Sequence, residues 1–142
     1  MRKFYYGKNR EGKLVRDRHA EVLRAQGYEV GVRRLTDGEL GRAILGKMPE
    51  EIGEIEEAME DKSREKVIVE VADLQTLVDS LRKALGISVE EVDEAVRVKV
   101  EEKGAFDEGV VMEWVGLKPE GKGYESWLRY FLENPEDWRE EK

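Results

Sequence analysis

The chain has 142 residues, a formal net charge of −8 and 41% charged residues, with 33 Asp and Glu against 25 Lys and Arg and no cysteine. Disulfides and thiol chemistry are excluded, and an acidic surface of this size argues against a broad nucleic-acid interface. No run approaches 18 apolar residues and Met1–Gly7 lacks an apolar h-region, so membrane insertion and secretion are not indicated and the cytoplasm is the expected location. The length fits one domain without internal repeats. Its acidity suits a protein that meets an anionic ligand through a bound cation.

Residues 1–12, with Gly7, Asn9 and Gly12, read as an extended or looped lead-in. Asp17 is placed to cap a helix running to Gln26 and stopped by Gly27. Residues 28–35 alternate at Tyr28, Val30 and Val32, which predicts a short strand or an extended link. Thr36 with Glu39 forms a capping-box pattern opening a helix to about Asp61, with a kink expected near Met48 because Pro49 has no N–H to donate. Gly53 weakens the same helix by about 1 kcal/mol relative to alanine. Ser63 caps a third helix that ends at Gly86, and Ser88 with Glu91 opens a fourth ending near Gly104. Residues 106–117 suggest a second short strand. Tyr124, Trp127, Leu128, Phe131 and Leu132 then follow helical spacing up to Asn134-Pro135, with Trp138 in a final turn. This predicts an all-α antiparallel four-helix bundle with short flanking strands and an extra C-terminal helix. Residues 1–117 are expected to form the domain proper and 118–142 an aromatic-rich extension of it.

One carboxylate breaks the pattern. On the helix over Arg64–Leu85, Glu70 falls inside the apolar stripe of Val67, Leu74, Leu77 and Leu81, where an ionised group costs several kcal/mol (roughly) unless paired or bound to metal. Asp73 follows one turn later. The preceding helix carries Glu50, Glu51 and Glu54 beside its own stripe of Ile44, Met48, Ile52, Ile55 and Met59. Antiparallel packing would bring Glu51, Glu54, Glu70 and Asp73 together. Four carboxylates without histidine or cysteine make an all-oxygen site, suited to Mg²⁺ or Mn²⁺.

The EExxE run at 50–54 followed by ExxD at 70–73 resembles the all-α nucleoside triphosphate pyrophosphatases, the superfamily that includes MazG and phosphoribosyl-ATP pyrophosphohydrolase. Lys13-Leu14-Val15-Arg16-Asp17 looks like the KLVRD signature of the branch related to phosphoribosyl-ATP pyrophosphohydrolase, and Glu102–Val111 looks like that branch's ending, with Ala105 in place of its second glycine. These matches span about residues 13–112.

The resemblance implies a Mg²⁺- or Mn²⁺-dependent nucleotide pyrophosphohydrolase that cleaves the α–β anhydride to a nucleoside monophosphate and pyrophosphate, a reaction suited to clearing the nucleotide pool. It favours Glu51 as the ligand that also takes the water's proton, with Glu54, Glu70 and Asp73 as further metal ligands and Glu50 behind them. Lys13 and Arg16, and also Lys47, Lys99 and Lys103, are candidate phosphate-binding residues, although Lys99 and Lys103 also suit the C-terminal dipole of a helix. Asp17 reads as a cap, and His19 as a solvated surface residue. The alternatives are activity on phosphoribosyl-ATP, or a non-enzymatic helical dimerisation or regulatory module. The apolar stripes exceed what one small bundle covers, so a homo-oligomer, with a dimer favoured, is expected.

Overall fold

The computed structural model describes residues 1–140, omitting the side chain of Lys8, and contains five α-helices: α1 (His19–Ala25), α2 (Asp37–Glu60), α3 (Arg64–Ala84), α4 (Val89–Lys103) and α5 (Tyr124–Glu133). A short 3₁₀ turn at Lys8–Arg10 precedes them. Two units are distinguished, Met1–Lys99 and Val100–Lys142, and each is described by itself.

In the first unit the extensive helix packing is between α2 and α3, joined by the three-residue link Asp61–Ser63 into an antiparallel hairpin. Thr36 opens α2 with a complete capping box: its hydroxyl accepts from the Glu39 N–H, and the Glu39 carboxylate accepts from the Thr36 N–H at 2.8 Å. Four unsatisfied N–H groups at a helix start make such a box stabilising. Ser63 accepts from the Lys66 N–H to start α3, and Ser88 with Glu91 forms the corresponding box before α4. Pro49 lies within α2, which continues as one helix to Glu60. The missing N–H leaves the Leu45 carbonyl without its usual partner four residues on.

Two expectations are corrected. No strand occurs among the described residues: 28–35 and 109–117 carry no regular secondary structure, and 106–108 form a turn in which the Gly109 N–H donates to the Phe106 carbonyl at 3.2 Å. Alternation makes a strand only where a second one supplies its hydrogen bonds; the Val30 carbonyl instead accepts from the Arg24 guanidinium at 2.8 Å. Asp17 does not cap α1, whose N-cap position is Arg18, without a side-chain cap. The main chain closes this turn itself, the His19 N–H donating to the Arg16 carbonyl at 2.9 Å.

Packing of α2 on α3 follows a seven-residue row, Ile44, Glu51 and Ala58, all buried, because positions seven apart return to one side of a helix. The next row, Leu45, Ile52 and Met59, is exposed, as are Val71 and Val78 on α3 and Leu85 at its C-cap. Each of these six is one residue beyond an inward position. In an antiparallel pair that step turns both helices' side chains to the same side, so the hairpin carries an apolar face on one side. The residues one step before the inward rows, Glu50 on α2 and Asp73, Thr76, Ser80 and Lys83 on α3, make the opposite side polar.

The second unit holds the end of α4, an exposed connection and α5. Trp127 stacks on Phe131 at 6.0 Å, and Trp138 meets Phe131 edge-on at 5.1 Å. The turn begun at Asn134 delivers Trp138, whose N–H donates to the Asn134 carbonyl at 3.0 Å. The helix and the final turn are those expected from the residue spacing. No helix among the described residues is long and apolar enough to cross a membrane.

Candidate functional site

The polar side of the hairpin bears a cleft of about 780 Å³, within the range of small-molecule sites. Its position follows from the register. Glu54 and Glu70 stand eight residues either side of Lys62, and Glu51 and Asp73 eleven, so an antiparallel hairpin with a short link sets them opposite one another. The carboxylates form two overlapping groups, Glu50 with Glu51 and Glu54, and Glu51 with Glu70 and Asp73, each with one oxygen per residue mutually within 4.8 Å.

Glu51 is shared by both groups. It is also the buried acid, its side chain 5% exposed, whereas Glu70 is half-buried. The apolar stripe around Glu70 pointed to the reverse. One covering helix half-shields the α3 stripe, while the α2 row through Ile44 and Ala58 faces α3 directly. One oxygen of Glu51 pairs with Lys47 Nζ at 3.0 Å; the other, Oε2, is buried and accepts no hydrogen bond. A buried carboxylate oxygen left without a donor is costly and calls for a partner.

The electrostatics reflect this crowding. The nearness of Glu51, which favours a proton held between the two carboxyls, then burial and the charges of Glu51, Glu70 and Glu50 push the Glu54 carboxyl up. Glu50 is held below the usual carboxylate range, first by its hydrogen bond from Lys13 and then, against the cost of burial, by the charge of Lys47. For Lys47, burial favours the neutral amine, but its contacts with Glu51 and Glu50 outweigh that and raise its pKa.

Residues 13–17 lie over the acids as a strap. Lys13 Nζ pairs with Glu50 at 2.5 Å and the Arg16 guanidinium with Asp73. Lys13, Arg16 and Lys47 line the cleft with Glu50, Glu51, Glu54 and Asp73. Lys99 is exposed on α4, outside the lining, and Lys103 falls in the second unit. Sequence reasoning did not single out Thr76, Ser80 and Lys83, which continue from Asp73 along the cleft wall, or Asp37; it also set His19 apart as a surface residue, yet His19 lies on the cleft's exposed rim. The signal was present as a polar row at helical spacing, 73, 76, 80 and 83, beside the apolar stripe.

A helical hairpin thus opposes carboxylates from its two halves beside a cleft that Lys13, Arg16 and Lys47 also line. Residues 31–100 match the phosphoribosyl-ATP pyrophosphohydrolase family, which belongs to the all-α nucleoside triphosphate pyrophosphatase superfamily. The family is one of pyrophosphohydrolases, hydrolases acting on phosphoric anhydrides. No curated protein and no solved structure matches the chain.

Proposed function

We propose that the chain is a Mg²⁺- or Mn²⁺-dependent pyrophosphohydrolase that cleaves a nucleoside triphosphate between its α and β phosphates, yielding a monophosphate and pyrophosphate. The observation that carries this reading is the orphaned Glu51 Oε2, buried where the two carboxylate groups meet inside the cleft. An all-oxygen donor set of this kind fits a hard divalent cation. Glu51, Glu54, Glu70 and Asp73 would hold it. When bound, such an ion neutralises phosphate charge and acidifies water.

The chain's own residues account for the remaining chemistry. Glu51 is oriented by Lys47 through one oxygen, and its carboxylate would serve both as a ligand of the cation and as the acceptor of the attacking water's proton. Glu50 holds Lys13 and Lys47 in place. Lys13, Arg16 and Lys47 offer cationic donors to the phosphates, and Arg16 can engage two phosphate oxygens at once. The substrate meets these residues on the polar side of the hairpin.

Phosphoribosyl-ATP is the second reading for the substrate, favoured by the family match. A pyrophosphate-release screen over canonical and deoxynucleoside triphosphates and phosphoribosyl-ATP, each with Mg²⁺ and with Mn²⁺, separates the two. Stoichiometric pyrophosphate and monophosphate from a nucleoside triphosphate is the expected result. Turnover confined to phosphoribosyl-ATP selects the second reading, and silence on every nucleotide, with no effect of either cation on the melting temperature, leaves a regulatory module.

A further inference from the structure

The strap raises a question that the proposed chemistry leaves open. Lys13 and Arg16 are assigned to phosphates, yet in the structure they are spent on Glu50 and Asp73. Around the cleft, the five acids Glu50, Glu51, Glu54, Glu70 and Asp73 face three cations, Lys13, Arg16 and Lys47. When all are ionised the set is two negative charges from neutrality. Arg16 occupies Asp73, one of the oxygens a divalent cation would need.

The strap is built to leave. Among the described residues, the backbone of 11–15 makes no backbone hydrogen bond. It hinges at Gly12, φ +80°, a conformation natural to glycine. The N-terminal side of the hinge is fixed by a close crossing at Gly7, where a Cβ would stand 2.6 Å from the Gly12 Cα. Beyond the hinge Leu14 is half-buried, and the ion pairs of Lys13 and Arg16 are made by side chains 63% and 61% exposed. Exposed pairs are weak and screened by salt.

Resting on the metal reading above, we propose that residues 13–17 form a charge-exchange latch: Arg16 and Lys13 stand in for the divalent cation on the carboxylates, are displaced when it binds, and pass to the polyphosphate. Arg16 thereby opposes metal binding in the absence of nucleotide. A polyphosphate that draws Arg16 off Asp73 frees that carboxylate for metal, and metal that frees Arg16 readies it for phosphate. The two ligands therefore assist each other, reciprocally.

The test is a calorimetric titration of the full chain with Mg²⁺ alone at fixed ionic strength, for wild type, Arg16→Ala and Arg18→Ala. Arg18→Ala removes the same charge from the same segment, but Arg18 pairs with Glu21 and not with the acids. Arg16→Ala is expected to bind Mg²⁺ about two- to five-fold more tightly than wild type, the range an exposed ion pair yields, and Arg18→Ala to match wild type. Trypsin cleavage after Lys13 and Arg16 should be accelerated by Mg²⁺ and slowed again when inorganic triphosphate is added. Circular dichroism checks that each variant keeps its helices. If wild type binds Mg²⁺ and Arg16→Ala binds it equally or more weakly, or if both arginine variants gain alike, the latch is refuted while the metal site stands. A wild type that takes up no Mg²⁺ overturns the metal reading and the latch with it.

Discussion

Glu70 separates a metal ligand from a structural anion. Among the described residues it has no basic partner, so Glu70→Gln strands no cation and removes one charge from a crowded acidic group. In EDTA the variant is expected to melt at the wild-type temperature or slightly above it. In Mg²⁺ at a hundred times its dissociation constant, wild type should gain about 2.7 kcal/mol, and the variant little or none. Thermal melts of both proteins in both buffers check this. A variant that melts much earlier in either buffer would show a structural role instead. The grouping of the acids was legible in the sequence because side-chain spacing on two helices fixes which positions face each other. The burial order was not: whether Glu51 or Glu70 is the enclosed one depends on how much neighbouring surface covers each helix, and spacing carries no such information.

The helix α2 depends on the box at Thr36. Thr36→Ala removes the acceptor for the Glu39 N–H and is expected to cost about 1 kcal/mol, read as a lower midpoint in urea. The same box holds the Glu39 carboxyl below its ordinary value of 4.5, first through the Thr36 backbone N–H and then its hydroxyl. A depressed folded-state pKa contributes stability above the unfolded value and loses it as pH falls through the folded one. The difference between wild type and Thr36→Ala should therefore narrow below about pH 4.5. At the other end of α2, Lys62 holds φ +53° in the link to α3. Left-handed backbone costs a side chain about 1–2 kcal/mol, and glycine returns about 0.4–1 kcal/mol in unfolded-state freedom. Lys62→Gly should raise stability by up to about 1 kcal/mol, as measured by chemical denaturation. Helix starts were the most legible elements, because Thr36, Ser63 and Ser88 act locally. Strands were misjudged at 28–35 and 106–117, because a strand is defined by a partner that its own residues do not specify.

For the molecule as a whole the apolar side of the hairpin decides the next expectation. Leu45, Ile52, Met59, Val71, Val78 and Leu85 are each between 47% and 62% exposed, and two helices alone enclose little beyond Ile44 and Ala58. Contiguous apolar surface of this kind marks an interface. Light scattering at micromolar concentration is expected to give a dimer, and Ile52→Glu with Val78→Glu to give a monomer or an unfolded chain. A wild-type monomer would reject this. A four-helix bundle made by two hairpins would also reconcile the predicted bundle with α2–α3 as the extensive helix packing among the described residues of one chain, leaving each polar cleft on the side away from the seam.

The placement of all five carboxylates within residues 50–73 has a kinetic consequence. They are brought together by closing one hairpin through a three-residue link, the least costly kind of loop closure. Contacts so close along the chain form in the fast range of folding, on the microsecond-to-millisecond scale. During synthesis both halves of the acidic group are present before α4 and α5 have been made. The acidic half of the site thus has a short search and does not wait for the C-terminal aromatic unit, whereas the contacts of Lys13 and Arg16 reach 37 and 57 residues along the chain.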